Sequence, residues 1–481
     1  MEENNNVLPE ETGETAPITA AETAEPQVAE AAPETAEPQA AEAVPEKPAK
    51  PKKKKPRFLA LKIIAGVILF AAIAVGSGFA AVNIKYDMME REVNETPPIS
   101  HGEIERGIAT KELCDFYFNT LTYREQLLYN NIKNAAEARA EKSEVMRLEY
   151  DMETFSKVAR YVLADNPDLF YVNFDRLVLN HARHRTYVAM AYCATGDELE
   201  TIISEYENAL SEMISAAADA ISDFGRELAL HDYIIDKCEY AVEDEDHLHN
   251  TAYGALVFKR AYCDGYAYAM KAAMDRLGIQ SAIVYGSVNG TDHVWNLVYI
   301  DGEYYHLDAM WDDADITFSD GMRFHGYFNL NDERIRLDHE YKFTEVLPKA
   351  EGTEDYYKKL GLYAGTAEES AEIITRALVD ASARNSSYIE LFCAETAENE
   401  KLAPYYREAV EEANEELGEE VFLTAFRVFS ASDTSNAVTI QVFYSSPVEE
   451  ETRPPETDDK TDETEDQNPA DTAADTNKEG N

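Results

Sequence analysis

Cys263 is the residue in this 481-residue chain whose setting best suits covalent chemistry. It stands in Tyr262-Cys263-Asp264-Gly265-Tyr266-Ala267, and Ala267, Met270, Met274 and Leu277 then recur at helical spacing as far as Gly278. The spacing predicts a helix that begins at Cys263. Unpaired amides and the positive end of a helix dipole stabilise a thiolate there. A thiolate is the nucleophile that acyl transfer requires. A cysteine taken by position alone is more often a small buried residue, so the weight falls on the residues downstream of Gly278.

Ser281 to Val288 reads as a strand, Asn289-Gly290 as a turn, His293 to Ile300 as a second strand, Asp301-Gly302 as a two-residue hairpin loop and Glu303 to Asp308 as a third strand. With Asp301 and Gly302 as the loop, Ile300 pairs with Glu303 and Trp295 falls opposite Asp308. His293 lies on the same face as Trp295, two residues away, so His293 and Asp308 are diagonal neighbours within side-chain reach. If Asn289-Gly290 is also a two-residue loop, Gly286 lies opposite His293, and a glycine there leaves room for another group beside the ring. A thiol at a helix start and a His–carboxylate pair on adjacent strands form the layout of a cysteine nucleophile, its base and the base's orienting group.

Other residues compete for attention. His306 shares a face with Asp308 but pairs with Leu297, and is expected to be structural. His247 and His249 lie in an acidic segment with no third ligand at useful spacing, and read as a loop. Asp312, Asp313, Asp315 and Asp320 precede Gly321. Hard oxygen ligands suit calcium, but the spacing is not that of an EF-hand, and a solvated loop is the expectation. No metal or cofactor is expected. Trp295 and Trp311, the only tryptophans, flank the candidate group as cleft walls or as core. Cys114, Cys193, Cys238 and Cys393 allow two disulfides outside a cell, although Cys238 continues a helical stripe with Leu230 and Ile234 as a buried thiol would.

The elements that must position these residues occupy about 226–350, the catalytic region. Residues 100–225 read as mainly helical, with Ile203, Tyr206, Leu210, Met213 and Ala217 along one helix face. Asp165-Asn166-Pro167-Asp168 is a turn before the apolar run Leu169–Val172, and Thr186 to Cys193 reads as a strand. Residues 366–446 form a small accessory module of order α-β-α-β-β, opened by a capping box of Thr366 and Glu369 and with its second helix stopped by Gly418. Nothing in that module suggests chemistry.

Both ends differ in composition. Residues 1–51 are Ala-, Glu-, Pro- and Thr-rich with twelve acids and two lysines, and contain a near-repeat beginning at Thr23 and Thr35. They are expected to be disordered, as is the acidic tail 447–481. A basic flank, 52–62, carries six positive charges. The charge-free run Ile63 to Val82 comes next, twenty residues and long enough for a bilayer core of about 30 Å. A transmembrane helix at 63–84 and a linker at 85–99 are expected. A cleaved signal peptide is the competing reading, but the preceding region and the apolar run are both too long for one. The basic flank puts the N-terminus in the cytoplasm and everything after Val82 outside. A formal charge of −50 argues against nucleic-acid binding and against docking on anionic lipid through the body of the protein.

The stretch from His231 to His339 resembles the transglutaminase-like superfamily. The residues that carry the resemblance are Thr251-Ala252-Tyr253-Gly254, Cys263 to Ala267, His293-Val294-Trp295-Asn296, and Tyr304 to Asp313. It implies an α+β, papain-like core in which Cys263 is the nucleophile, His293 the base and Asp308 the orienting carboxylate, with Tyr253 an oxyanion or pocket residue. Val294 and Met310 stand where the family pattern has Ala and Thr. The helical region before the core also resembles membrane-anchored surface proteins of Gram-positive anaerobes. The function implied is an extracellular, membrane-anchored cysteine acyl-transfer enzyme acting on a protein or peptide substrate at the cell envelope. The alternative is a catalytically silent binding or scaffold protein that keeps the fold.

Overall fold

The computed structural model describes residues 57–99, 115–182, 185–242, 246–313, 322–341, 347–418, 420–430 and 436–445. The acidic N-terminal segment, residues 52–56 of the basic flank, the acidic tail, Cys114, Asp315, Asp320 and Gly321 lie outside them. The chain divides into two units, Met1–Val75 and Gly76–Asn481.

The described part of the first unit is the start of helix α1 (Arg57–Glu95), whose apolar stretch exposes Ile64, Val67, Ile68 and Phe70. By length and composition this helix can cross a membrane. In the second unit it continues to Glu95, over residues expected to form a linker. Those residues include good helix formers, and the first proline comes only at Pro97. Met89 and Val93 pack on the core, and Glu90 accepts from Tyr86 and pairs with Arg124.

The helical region consists of α2 (Phe116–Thr120), α3 (Tyr123–Glu137), α4 (Met152–Asp165), the hairpin β1 (Val178–Ala182) and β2 (Arg185–Ala189), α5 (Asp197–Ala216) and α6 (Asp223–Lys237). Tyr206, Leu210 and Met213 are buried on α5, as their spacing predicts. Asp165, a buried carboxylate, accepts the amide hydrogens of Tyr117 and Phe118 and so tethers α2 to the end of α4.

The core continues with β3 (Glu239–Tyr240), parallel to β4 (Arg260–Ala261), then α7 (Cys263–Leu277) and the antiparallel run β5 (Gln280–Val288), β6 (Thr291–Ile300) and β7 (Glu303–Leu307). Asn289, Gly290, Asp301 and Gly302 all have positive φ, which is why these residue types make the two tight turns. Next come α8 (Ala309–Asp312), α9 (Asp332–Ile335) and β8 (His339–Tyr341), which closes a sheet of order β7-β6-β5-β8. Buried residues from α2 to Tyr357 form one hydrophobic core, with α7 against the sheet.

After α10 (Tyr356–Lys359) the C-terminal module runs β9 (Tyr363–Ala364), α11 (Ser370–Arg384), β10 (Tyr388–Cys393), α12 (Asn399–Leu417), β11 (Phe422–Ser430) and β12 (Ala437–Tyr444). Its sheet order is β11-β12-β10-β9, and it has its own core of Ile374, Leu378, Leu391, Tyr406 and Ile440. The Thr366–Glu369 capping bonds form just ahead of α11, and Gly418 ends α12 with φ 77°. The short parallel strand β9 adds to the expected α-β-α-β-β order. The whole is a mixed helix and sheet protein.

Candidate active site

Cys263 is the first residue of α7, preceded by extended Tyr262, which makes no side-chain cap. The helix start is wedged against the turn at 248–251. Tyr262 donates its amide hydrogen to the His249 carbonyl, and a Cβ on Gly265 would lie 2.6 Å from the Ala261 methyl and 2.8 Å from the His249 carbonyl. Only a glycine allows the first turn to approach so closely. Cys263 is half-buried, whereas Cys238 and Cys393 are buried, and these three and Cys193 are free thiols.

The strand pairing puts His293 opposite Gly286, Leu297 opposite His306 and Ile300 opposite Glu303, the register expected from the two turns. β7 ends at Leu307, so Asp308 extends its line and then caps α8 through the Trp311 amide at 3.1 Å. His293 Nε2 is 2.5 Å from Asp308 Oδ2. The Cys263 thiol also acts on this ring and favours its charged form, while its sulfur lies 3.7 Å from Asp264 Oδ1. Asn296 ties the hairpin to α7 by donating to the Ala267 carbonyl at 3.0 Å. Thiol, imidazole and carboxylate are therefore brought together.

Burial opposes a charge on His293, but the Asp308 carboxylate and the Cys263 thiol outweigh it and push its pKa up to about 9. Asp308 is 1% exposed. Burial disfavours its charge too, yet His293 and a second histidine hold its carboxyl well below the usual range. An imidazolium and a carboxylate thus coexist in an enclosed place, each stabilising the other. The neighbouring Asp264 is pushed up to about 6 by burial, against the pull of Cys263 and His293.

That second histidine is His339 on β8. Its Nε2 is 3.0 Å from Asp308 Oδ2, and its Nδ1 is 2.5 Å from Asp338 Oδ1. Burial works against its charge, but the two carboxylates push it up to about 9. The sequence offers no signal for it, because β8 has three residues and joins the sheet through β5, some fifty residues earlier in the chain. Asp338 also accepts from the Tyr327 hydroxyl at 2.6 Å.

Tyr253 sits elsewhere. Its hydroxyl donates to Glu205 on α5 at 2.7 Å, and its ring stacks on Phe170 and meets Phe258 edge-on. None of these partners belongs to the thiol–imidazole–carboxylate group, so the geometry gives no support to an oxyanion role. Tyr253 instead joins the helical region to the turn before Cys263. His306 is structural. Its Nδ1 accepts from the Trp295 indole at 3.0 Å and its Nε2 bonds Asp332, while burial keeps it in the neutral form that this pattern needs. Trp295 stacks beneath His293 and is core, whereas Trp311 is half-buried beside the same ring. His249, expected in a loop, is buried and bonds the Arg260 carbonyl at 2.6 Å. Asp312 departs from the solvated loop expected of it. It is 1% exposed and accepts from the Tyr327 amide and bonds His231. Chain folding turns this carboxylate inward because α8 places it one turn after Asp308. Asp313 bonds the Tyr266 hydroxyl.

Residues 209–309 match the model of the Transglutaminase-like superfamily. Similar solved structures include a TGase (15% identity, TM-score 0.22, covering 37% of this chain and 51% of that one). Others are a candidate cysteine protease from Cytophaga hutchinsonii (14%, 0.20, 28% and 61%) and a candidate protease from Parabacteroides distasonis (8%, 0.16, 28% and 35%). The chain thus spans less than two thirds of each neighbour's own length. No curated protein matches it. With its thiol-bearing helix packed on an antiparallel sheet, this chain carries a transglutaminase-like core.

Proposed function

We propose that the protein is a membrane-anchored cysteine acyl-transfer enzyme, with Cys263 as nucleophile, His293 as general base and acid, and Asp308 as the group that orients and charges His293. The observation that carries this reading is a half-exposed thiol at a helix start beside an imidazole that a buried carboxylate holds at 2.5 Å. The substrate is an amide, either a peptide bond or a glutamine side chain, in a protein at the cell envelope. α1 is the anchor, and the residues after it face outward, in keeping with the basic flank before the apolar run.

In the first step the Cys263 sulfur, its proton already held by the His293 imidazolium, attacks the amide carbonyl carbon. The C–N bond breaks, His293 gives its proton to the departing amine, and a thioester remains on Cys263. Water or a primary amine then attacks the thioester, losing its proton to His293. The sulfur leaves as the thiolate while His293 keeps that proton, releasing an acid or a new amide. Asp308 remains ionised throughout, as an orienting carboxylate does.

The test is the alkylation rate of Cys263 against pH in the detergent-solubilised chain, with His293→Ala beside it. The expected result is a reactive thiolate well below pH 8 that is lost in the variant. A rate that rises only near the free-thiol pKa of about 8.5, or the same profile in both proteins, would sink the enzymatic reading and favour a binding protein built on this fold.

A further inference from the structure

A second histidine–carboxylate cluster lies away from Cys263, where the core meets the C-terminal module. His231 and Asp232 are consecutive residues of α6, and His325 lies in the segment between α8 and α9. Asp232 Oδ1 is 2.9 Å from His325 Nε2 and 3.5 Å from His231 Nδ1. One donor atom from each of the three lies within 4.8 Å of the others. The far nitrogens are held by carboxylates. His231 Nε2 is 3.2 Å from Asp312 Oδ2, and His325 Nδ1 is 2.9 Å from Glu390 Oε2 on β10. Both rings are buried.

Near nitrogens converging on one carboxylate, with each far nitrogen gripped by another, is the arrangement that orients histidines around a metal ion. Four-coordinate bonds of about 2.0 Å put neighbouring ligand atoms about 3.3 Å apart, and the two observed separations bracket that value. Without an ion, and with every carboxylate ionised, satisfying all four contacts needs a proton on every ring nitrogen. That makes two buried imidazoliums with centroids 5.0 Å apart, whose mutual repulsion Asp232, Asp312 and Glu390 must offset. A divalent ion replaces one proton on each ring and leaves the formal charge of the cluster unchanged, with each remaining N–H pointing at Asp312 or Glu390. Arg323 bonds the other oxygen of Asp232 at 2.6 Å, so Oδ1 stays available. The group of His293, Asp308 and His339 is as closely spaced, but His293 and Asp308 already belong to the proposed acyl-transfer group beside Cys263.

We propose that His231, Asp232 and His325 bind one divalent transition-metal ion of the zinc class, imidazole and carboxylate being suited to it, with Asp312 and Glu390 as the groups that orient the two rings. The ion clips α6 to the segment after α8 and, through Glu390, to the sheet of the C-terminal module. This site is independent of whether Cys263 acts as a nucleophile.

The test uses the full chain in detergent, as Cys263→Ala so that the thiol cannot contribute, stripped with chelator and then given Zn2+ or Co2+ alone. The expected result is one retained equivalent of Zn2+ by elemental analysis, a higher melting temperature with the ion, and a Co2+ ligand-field spectrum of low coordination number. His231→Gln and His325→Gln should abolish retention, Glu390→Gln should weaken it about 10–100-fold, and His339→Ala should leave it intact. Absence of stoichiometric binding would overturn the proposal, as would retention in a His231→Gln/His325→Gln double variant or loss in His339→Ala. If the ligand variants do not fold, the Co2+ spectrum of the Cys263→Ala chain decides, and an octahedral aqua-ion spectrum overturns the site.

Discussion

Asp308 Oδ2 serves two imidazoles, His293 at 2.5 Å and His339 at 3.0 Å, so the charge that supports His293 is shared. The groups facing His293 are Asp308, Cys263 and Asp264, with the rings of Trp295, Trp311 and His339 around it. Those facing His339 are Asp308, Asp338 and His306, with Trp295, Trp311 and Tyr327 against its ring. His339 is therefore a positioning residue that moderates the field at His293. His339→Gln keeps an amide donor near Asp308 and removes the competing positive charge. The His293 pKa, already raised to about 9, then rises further. Expulsion of an amine needs the imidazolium, so acylation by an amide substrate should fall as pH rises through about 9 in the natural protein, and at higher pH in His339→Gln. Alkylation of Cys263 needs no leaving-group proton and should show no such fall. An alkaline limb that stays in place in the variant would make His339 merely structural.

At the scale of elements, β5 and β8 come together because position 286 has no side chain. A Cβ there would lie 2.3 Å from the Glu340 carbonyl and 2.4 Å from the Trp295 ring. The space expected beside His293 is filled by the indole beneath it and by the strand that carries His339. Gly286→Ala should cost about 1–3 kcal/mol and loosen His339, read as a lower melting temperature together with an altered pH profile. On α6, Glu227 is enclosed with Asn329 as its partner at 2.8 Å, and burial pushes its carboxyl up to about 8. A folded-state pKa above the unfolded value of about 4.3 means that stability is greatest at low pH and is lost as pH rises towards 8. Glu227→Gln removes this titration. Its stability relative to the natural protein should grow from pH 5 to pH 8, by on the order of a few kcal/mol, and then level off. Thermal melts across that range check it, and a difference that does not vary with pH would contradict the assignment.

Across the whole molecule, α1 gives the chain one helix able to span a bilayer, and its far end, Met89 to Val93, is built into the folded second unit. In a chain whose native cysteines are replaced by alanine, single cysteines introduced after Glu95 should react with a membrane-impermeant reagent on intact cells, while those introduced before Lys52 should react only after lysis. The opposite pattern would reverse the orientation read from the basic flank. The C-terminal module has its own core and supplies one carboxylate, Glu390, to the cluster on α6. It therefore takes part in holding the core.

The local sequence determined the parts whose causes are local. Asn289-Gly290 and Asp301-Gly302 favour positive φ and so fix both turns; the turns fix the register, and the register alone brings His293 to Asp308. Helical spacing after Cys263 and the charge-free run after Lys62 fix two helices in the same way. Tertiary structure decided whatever depends on distant segments meeting. His339 reaches Asp308 only because a three-residue strand adds to β5, Tyr253 turns to Glu205 on a helix from an earlier region, and Asp312 is drawn inward by His231. No short-range pattern encodes those meetings, because each is set by the packing of separate elements around one core rather than by backbone preference.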